Sequence, residues 1–184
     1  MTNELAANLK QSLGWHKARV DCLVQLIMGL IMTRSVNLKE LACVVSGEAK
    51  LDSHYRRLQR FFSQVTLPRH AVAKLIMGLF FPLGERVYLS IDRTNWLWGK
   101  KNINLLVLSV CYRGAAMPLY WMSLDKKGNS DTNERILLMN HFLEGFGRDR
   151  ILGVLGDREF IGADWFAYLI HREIPFDMRV KKTL

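Results

Sequence analysis

Cysteine and proline are scarce in this chain, and no apolar run is long. The three cysteines, Cys22, Cys43 and Cys111, are odd in number, far apart and set among apolar residues. Such cysteines build no disulfide framework. Without a CxxC or a cysteine–histidine cluster they build no zinc site either. Buried free thiols in a reducing compartment fit best, so a cytoplasmic location is expected. Four prolines and 13 glycines in 184 residues exclude a collagen-like or low-complexity chain. The most apolar early segment, Cys22–Met32, is eleven residues long, against the roughly 20 that span a bilayer. It reads as a buried helix, and no membrane partner is expected. Glu4, with no basic stretch leading into an apolar run, argues against a signal peptide. Acidic residues are the minority charge, 17 against 26 basic, for a formal net charge of +9. A chain that is 49% hydrophobic folds rather than staying disordered. A basic folded chain points to a polyanion partner, most often nucleic acid.

The chain changes character near Pro82. Residues 1–82 carry 11 Lys/Arg and 5 Asp/Glu, a net of +6, and residues 83–184 a net of +3. The first part has helical spacing over Thr2–Leu13, Lys17–Met32, Asn37–Val45, Ser53–Ser63 and Pro68–Phe80. Asn37 and Glu40 have the form of a capping box, and Pro68 suits a first helical turn. The second part alternates strand and helix. Arg86–Asp92 alternates with Val87, Leu89 and Ile91 on one face and Tyr88, Ser90 and Asp92 on the other. Asn104–Tyr112 is nearly all apolar, as in a central strand, and Ala116–Leu124 completes an antiparallel meander. Asp131 and Glu134 form a second capping box, opening a helix with Ile136, Met139, Leu143 and Phe146 on its apolar face and a close at Gly145 or Gly147. Ile151–Gly156, Asp164–Glu173 and Phe176–Val180 read as strand, helix and strand. The expected fold is α+β: a helical domain over 1–82, then a mixed-sheet α/β domain over 83–184 in the order β-β-β-α-β-α-β.

Two carboxylates stand out by position. Asp92 closes the first strand and Asp157 the fourth, each followed by arginine. A carboxylate at the end of an apolar strand must be hydrogen-bonded, solvated or bound to a cation. If the two strands are neighbours the carboxylates converge, and their repulsion is relieved by a hard, oxygen-liking ion such as Mg²⁺ or Mn²⁺. Two such ions can activate an attacking oxygen and stabilise a leaving one in phosphodiester chemistry. The plainer reading is that each Asp caps a turn or the next helix.

The strand order and the strings around these residues resemble the ribonuclease-H-like DDE transposases of bacterial insertion sequences, family four. The strings are Ile91-Asp-Arg-Thr-Asn-Trp96, Gly156-Asp-Arg-Glu-Phe-Ile-Gly162, Trp96-Leu-Trp-Gly-Lys-Lys-Asn-Ile-Asn104, Lys127-Gly-Asn-Ser-Asp-Thr132 and Tyr55-Arg-Arg-Leu-Gln-Arg-Phe-Phe62. The resemblance implies that Asp92 and Asp157 are the first two of three catalytic, metal-binding carboxylates, with two Mg²⁺ (or Mn²⁺) ions in a complete site. It also implies hydrolysis of a DNA strand at the element's end and attack by the freed 3′ hydroxyl on target DNA. The family's third carboxylate is a Glu in a Tyr…Arg…Glu…Lys signature, and neither Glu159, Asp164, Glu173 nor Asp177 stands in one. The resemblance therefore implies a chain cut short by a frameshift, a premature stop or a misplaced gene boundary. Such a chain has an uncovered sheet face, a tendency to associate and little activity alone.

The expected partner is double-stranded DNA, as terminal inverted repeats and target, in a bacterial cytoplasm. A homodimer or a complex with full-length transposase accompanies it, the latter acting as inhibition. Arg56, Arg57 and Arg60 lie close together on one helix, and with the preceding helix they resemble a helix-turn-helix pair. They are DNA-contact candidates, with a solvated basic face as the alternative. Lys100, Lys101, Lys181 and Lys182 flank strand ends near the expected site and are candidate phosphate contacts, with ordinary surface lysines as the alternative. Trp96 and Trp98 read as packing residues, the five histidines show no ligand spacing, and Met28, Met32 and Met77 read as core filler.

Overall fold

The structure, a computed structural model, describes residues 2–180. Two compact units form, the first reaching Val72 and the second starting at Ala73.

The first unit holds helices α1 (Thr2–Leu13), α2 (Lys17–Thr33), α3 (Leu38–Val44) and α4 (Leu51–Gln64), and the first residues of α5 (Arg69–Phe80). Its core joins Cys22 and Leu26 of α2 to Leu41 and Ala42 of α3 and Leu58 and Phe61 of α4. Gly29 lets α3 approach closely, since a Cβ there would meet Leu41 Cδ2 at 3.2 Å. Asn37 caps α3 by accepting from the Lys39 amide at 3.0 Å, rather than from Glu40 as a capping box requires. Met32 is 65% exposed and so is not core filler, whereas Met77 is buried. Among the described residues no single helix is long and apolar enough to cross a membrane; α2 and α3 meet that measure only together, bent by 101°.

The second unit is built on a five-stranded sheet. Its strands are β1 (Val87–Trp98), β2 (Lys101–Tyr112), β3 (Ala115–Ser123), β4 (Ile151–Gly156) and β5 (Phe176–Met178), in the order β3-β2-β1-β4-β5. β1, β2 and β3 run antiparallel, while β4 pairs parallel with β1 and β5 parallel with β4. Helix α6 (Thr132–Phe146) links β3 to β4, and α7 (Ala163–His171) links β4 to β5. This order and these directions are ribonuclease-H-like, the α/β class expected. The Asp131 box on α6 is complete, with reciprocal Asp131 and Glu134 contacts, and Gly147 closes the helix at φ 79°.

One sheet face carries the core. Leu89, Ile91, Leu106, Leu108, Val110 and Val154 pack with Leu138, Met139 and Phe142 of α6 and Trp165 and Leu169 of α7. Both crossovers run in the same direction across the sheet, and right-handed connections bring both helices to the same face. The buried stripe of α6 runs through Arg135, Leu138, Met139 and Phe142. Ile136, Leu143 and Phe146, expected at its centre, pack along its edge.

Asp92 does not end its strand. β1 outruns β4 and continues to Trp98, paired with β2 from Arg93↔Leu106 to Trp98↔Lys101. Thr94 and Trp96 favour extended backbone, Asn95 stays in the ladder opposite Asn104, and the reversal comes at Gly99 with φ 60°. The result is a two-stranded ribbon beyond the carboxylate.

Candidate metal and phosphodiester site

The parallel ladder of β1 and β4 ends at Ser90↔Leu155 and Ile91↔Gly156. Asp92 follows within β1, and Asp157 is the first residue past the end of β4. The ladder therefore puts the two aspartates at adjacent strand ends, and alternation along β1 turns Asp92 to the face opposite Leu89 and Ile91. Both side chains are exposed. Asp157 accepts the Glu159 amide on Oδ1 at 2.9 Å and so caps the 3₁₀ turn Arg158–Phe160. Asp92 accepts the Arg93 amide on Oδ1 at 2.8 Å. The capping reading of the sequence thus holds for Asp157.

The neighbouring arginine does not neutralise Asp92. Alternation turns Arg93 to the other face of the sheet, where its guanidinium meets Glu159 two-pronged, Nε to Oε1 at 3.0 Å and Nη2 to Oε2 at 3.0 Å. The two side chains are 14% and 17% exposed. Arg93 also donates to Asn104 Oδ1 and Asn129 Oδ1, each at 3.3 Å. Asn104, buried in β2, donates through Nδ2 to the carbonyls of Lys126 and Gly128 at 3.0 Å. Arg135 donates to the Glu159 carbonyl at 3.0 Å and to the Ser130 carbonyl at 2.7 Å, its guanidinium 5.1 Å from the centre of the Phe160 ring. Burial holds the Arg135 pKa below the usual arginine value, against the opposing pull of Glu159. This polar layer lies on the core side of the strand ends. Sequence reasoning missed it, although two signals existed. Asn104 is a polar residue in an apolar strand, and Arg135 stands at core spacing from Leu138 and Met139.

Gly156 is needed for closeness. A Cβ there would stand 2.7 Å from Met178 Sδ, 3.2 Å from Ile91 Cγ2 and 3.3 Å from Phe160 Cδ2.

Among the described residues neither Asp92 nor Asp157 is in an ion pair, and no group of three His, Cys, Asp or Glu residues converges as a metal site. Two exposed carboxylates at adjacent strand ends, neither in an ion pair among the described residues, suit Mg²⁺ or Mn²⁺. Such an ion takes one or two protein carboxylates and completes its shell with water and phosphate oxygens. Asp92 and Asp157 would hold it, and it would supply charge neutralisation at a phosphodiester.

The DNA-contact candidates fall into separate places. Arg56 and Arg60 line an open groove on α4 with Leu38, Ser53, Gln59, Phe62 and Ser63. Arg57 turns the other way, half-buried, with Nη2 donating to the Ala18 carbonyl of α2 at 3.4 Å. Lys100 and Lys101 are exposed at the tip of the β1–β2 ribbon. At ~3.3 Å per residue they stand roughly 20 Å along the strand from Asp92, not beside it as expected. Lys181 and Lys182 lie outside the described residues.

No family model and no curated protein matches the chain. Solved structures similar to it include the magnesium-bound catalytic core of the HTLV-2 integrase, 16% identical with a TM-score of 0.39 over 51% of this chain and 61% of that one. A simian T-cell lymphotropic virus intasome in complex with PP2A regulatory subunit B56 gamma is 10% identical, with a TM-score of 0.42 over 77% of this chain and 47% of that one. The large terminase of a thermophilic bacteriophage is 21% identical, with a TM-score of 0.33 over 51% of this chain and 23% of that one. This chain therefore spans less than two thirds of each. At these identities the likeness concerns backbone course alone, and the fold assignment stands on the strand order and directions.

Proposed function

We propose that this chain is a DNA transposase unit of the DDE type, resembling insertion sequence family four, whose Asp92 and Asp157 hold the divalent ions that act on a DNA phosphodiester. The observation that carries this reading is the adjacency of the two carboxylates one step past Ile91↔Gly156. The two Asp-Arg strings that carry the family resemblance surround these same residues. In-line phosphoryl transfer asks a protein for positioning and charge neutralisation, and two carboxylates on neighbouring strands supply both through the ion. The described residues offer no third carboxylate to the pair, so strand transfer by this chain alone is expected to be weak. The test is Mn²⁺ binding to the purified chain, followed by Mn²⁺-dependent nicking of DNA that carries the element's terminal repeats. Binding that disappears in Asp92→Asn and Asp157→Asn supports the reading. A wild-type chain that binds no Mn²⁺ refutes it.

A second reading is a DNA-binding module that pairs with a complete transposase and restrains it. The exposed Arg56, Gln59 and Arg60 of α4, within a compact helical unit of their own, favour it. A mobility shift with end DNA, without nicking at any Mn²⁺ concentration, selects this reading over the first.

A further inference from the structure

The ladder between β1 and β4 stops one residue short of both carboxylates, so backbone hydrogen bonds do not fix their separation. After Gly156 the chain bends into the 3₁₀ turn Arg158–Phe160, while β1 runs on beside β2. Beyond that point β1 and the turn are joined by side chains. Arg93, next to Asp92, grips Glu159, two residues past Asp157, through two parallel N–H···O bonds. The Glu159 amide is bonded to Asp157 Oδ1 and its carbonyl to Arg135. All three groups of Glu159 are therefore engaged: the side chain holds β1, the amide orients Asp157, and the carbonyl holds the start of α6. Asn104 and Asn129 accept from two further guanidinium N–H groups of Arg93.

We infer that the Arg93–Glu159 pair is a positioning clamp that sets the spacing of Asp92 and Asp157 for a divalent ion. The inference rests on the reading of those two carboxylates as ion ligands. A fork-to-fork pair fixes distance and angle together, which a single-point contact does not. Groups behind metal ligands commonly change affinity by about 10–100-fold when removed.

The experiment measures Mn²⁺ affinity of the full chain by electron paramagnetic resonance, well below the unfolding temperature, with circular dichroism as the folding control. Glu159→Gln is expected to stay folded and to weaken Mn²⁺ binding by about tenfold or more. Arg93→Lys keeps the charge but cannot form the fork, and it gives the same reading if Glu159→Gln does not fold. The reversed pair, Arg93→Glu with Glu159→Arg, is expected to recover part of the affinity lost in either single charge change. A purely structural pair would lower the melting temperature and leave Mn²⁺ affinity unmoved. A folded Glu159→Gln or Arg93→Lys chain with wild-type affinity overturns the clamp and leaves the ion site standing. A wild-type chain that binds no Mn²⁺ overturns the ion site and the clamp with it.

Discussion

Ile91 and Gly156 are the last pair of the parallel ladder, and each is followed by aspartate. That relationship brings together two residues far apart in sequence. If the two carboxylates hold a divalent ion, millimolar Mg²⁺ or Mn²⁺ raises the melting temperature of the wild-type chain. At 100 times the dissociation constant the linkage amounts to about 2.7 kcal/mol. Asp92→Asn and Asp157→Asn are expected to lose that increment while remaining folded without metal. Differential scanning fluorimetry with and without metal checks this.

Gly156 leaves no room for a side chain. Gly156→Ala drives a Cβ into Met178, Ile91 and Phe160, and overpacking of this kind costs about 1–3 kcal/mol. Shortening the nearest obstacle in the double variant Gly156→Ala with Met178→Ala is expected to cost less than the two single changes summed. Urea unfolding of the four proteins gives the coupling, and strict additivity would show that the contact does not form.

The arginines of α4 are expected to separate by salt dependence. Arg56 and Arg60 face an open groove, so changing either to Ala should weaken DNA binding and reduce the slope of log affinity against log salt by about 1. Arg57 donates to the Ala18 carbonyl, and its replacement by Ala should lower stability and leave the slope in place. Fluorescence anisotropy across a salt titration distinguishes them. A reduced slope for Arg57→Ala would put that residue in the interface.

Asp131 gives the molecule an acid-sensitive helix start. The hydrogen bond from Lys126, then the Glu134 amide, hold its carboxyl below the usual range. A group whose pKa is lower folded than unfolded stabilises above the unfolded value, about 3.9, and loses that effect as pH falls through the folded value. Asp131→Asn keeps a good cap but removes the charge, so its stability should fall less steeply below about pH 4 than the wild type's. Because Asp131 is half exposed, solvent screening keeps the difference small. Parallel acid slopes would show that Asp131 does not contribute.

Much of the fold was readable because local signals agree with it. The alternation of Val87, Leu89 and Ile91, the apolar run of β2 and the Asp131 box each describe one element without reference to others. The closeness of Asp92 and Asp157 stood in the sequence only as a condition, that the first and fourth strands be neighbours, and the β1–β4 ladder meets that condition. What escaped depends on contacts remote in sequence. Arg93 and Glu159 are 66 residues apart, and nothing local distinguishes their pairing from two solvated charges. The direction of Arg57 depends on α2 lying against α4. The ribbon beyond Asp92 escaped because a strand's end was inferred from a carboxylate, whereas the backbone stays extended until a residue that tolerates positive φ allows it to turn.

The unequal lengths of β1 and β4 make the paired carboxylates mechanically unlike. Asp92 lies inside a continuous strand, with ladder bonds to β2 before and after it. Asp157 hangs from the last residue of a six-residue strand, at the entrance to a single 3₁₀ turn. Backbone ladder bonds therefore place one aspartate, and side-chain bonds to Glu159 of the following turn place the other. Whatever displaces Glu159 therefore displaces Asp157 and leaves Asp92 where the sheet holds it.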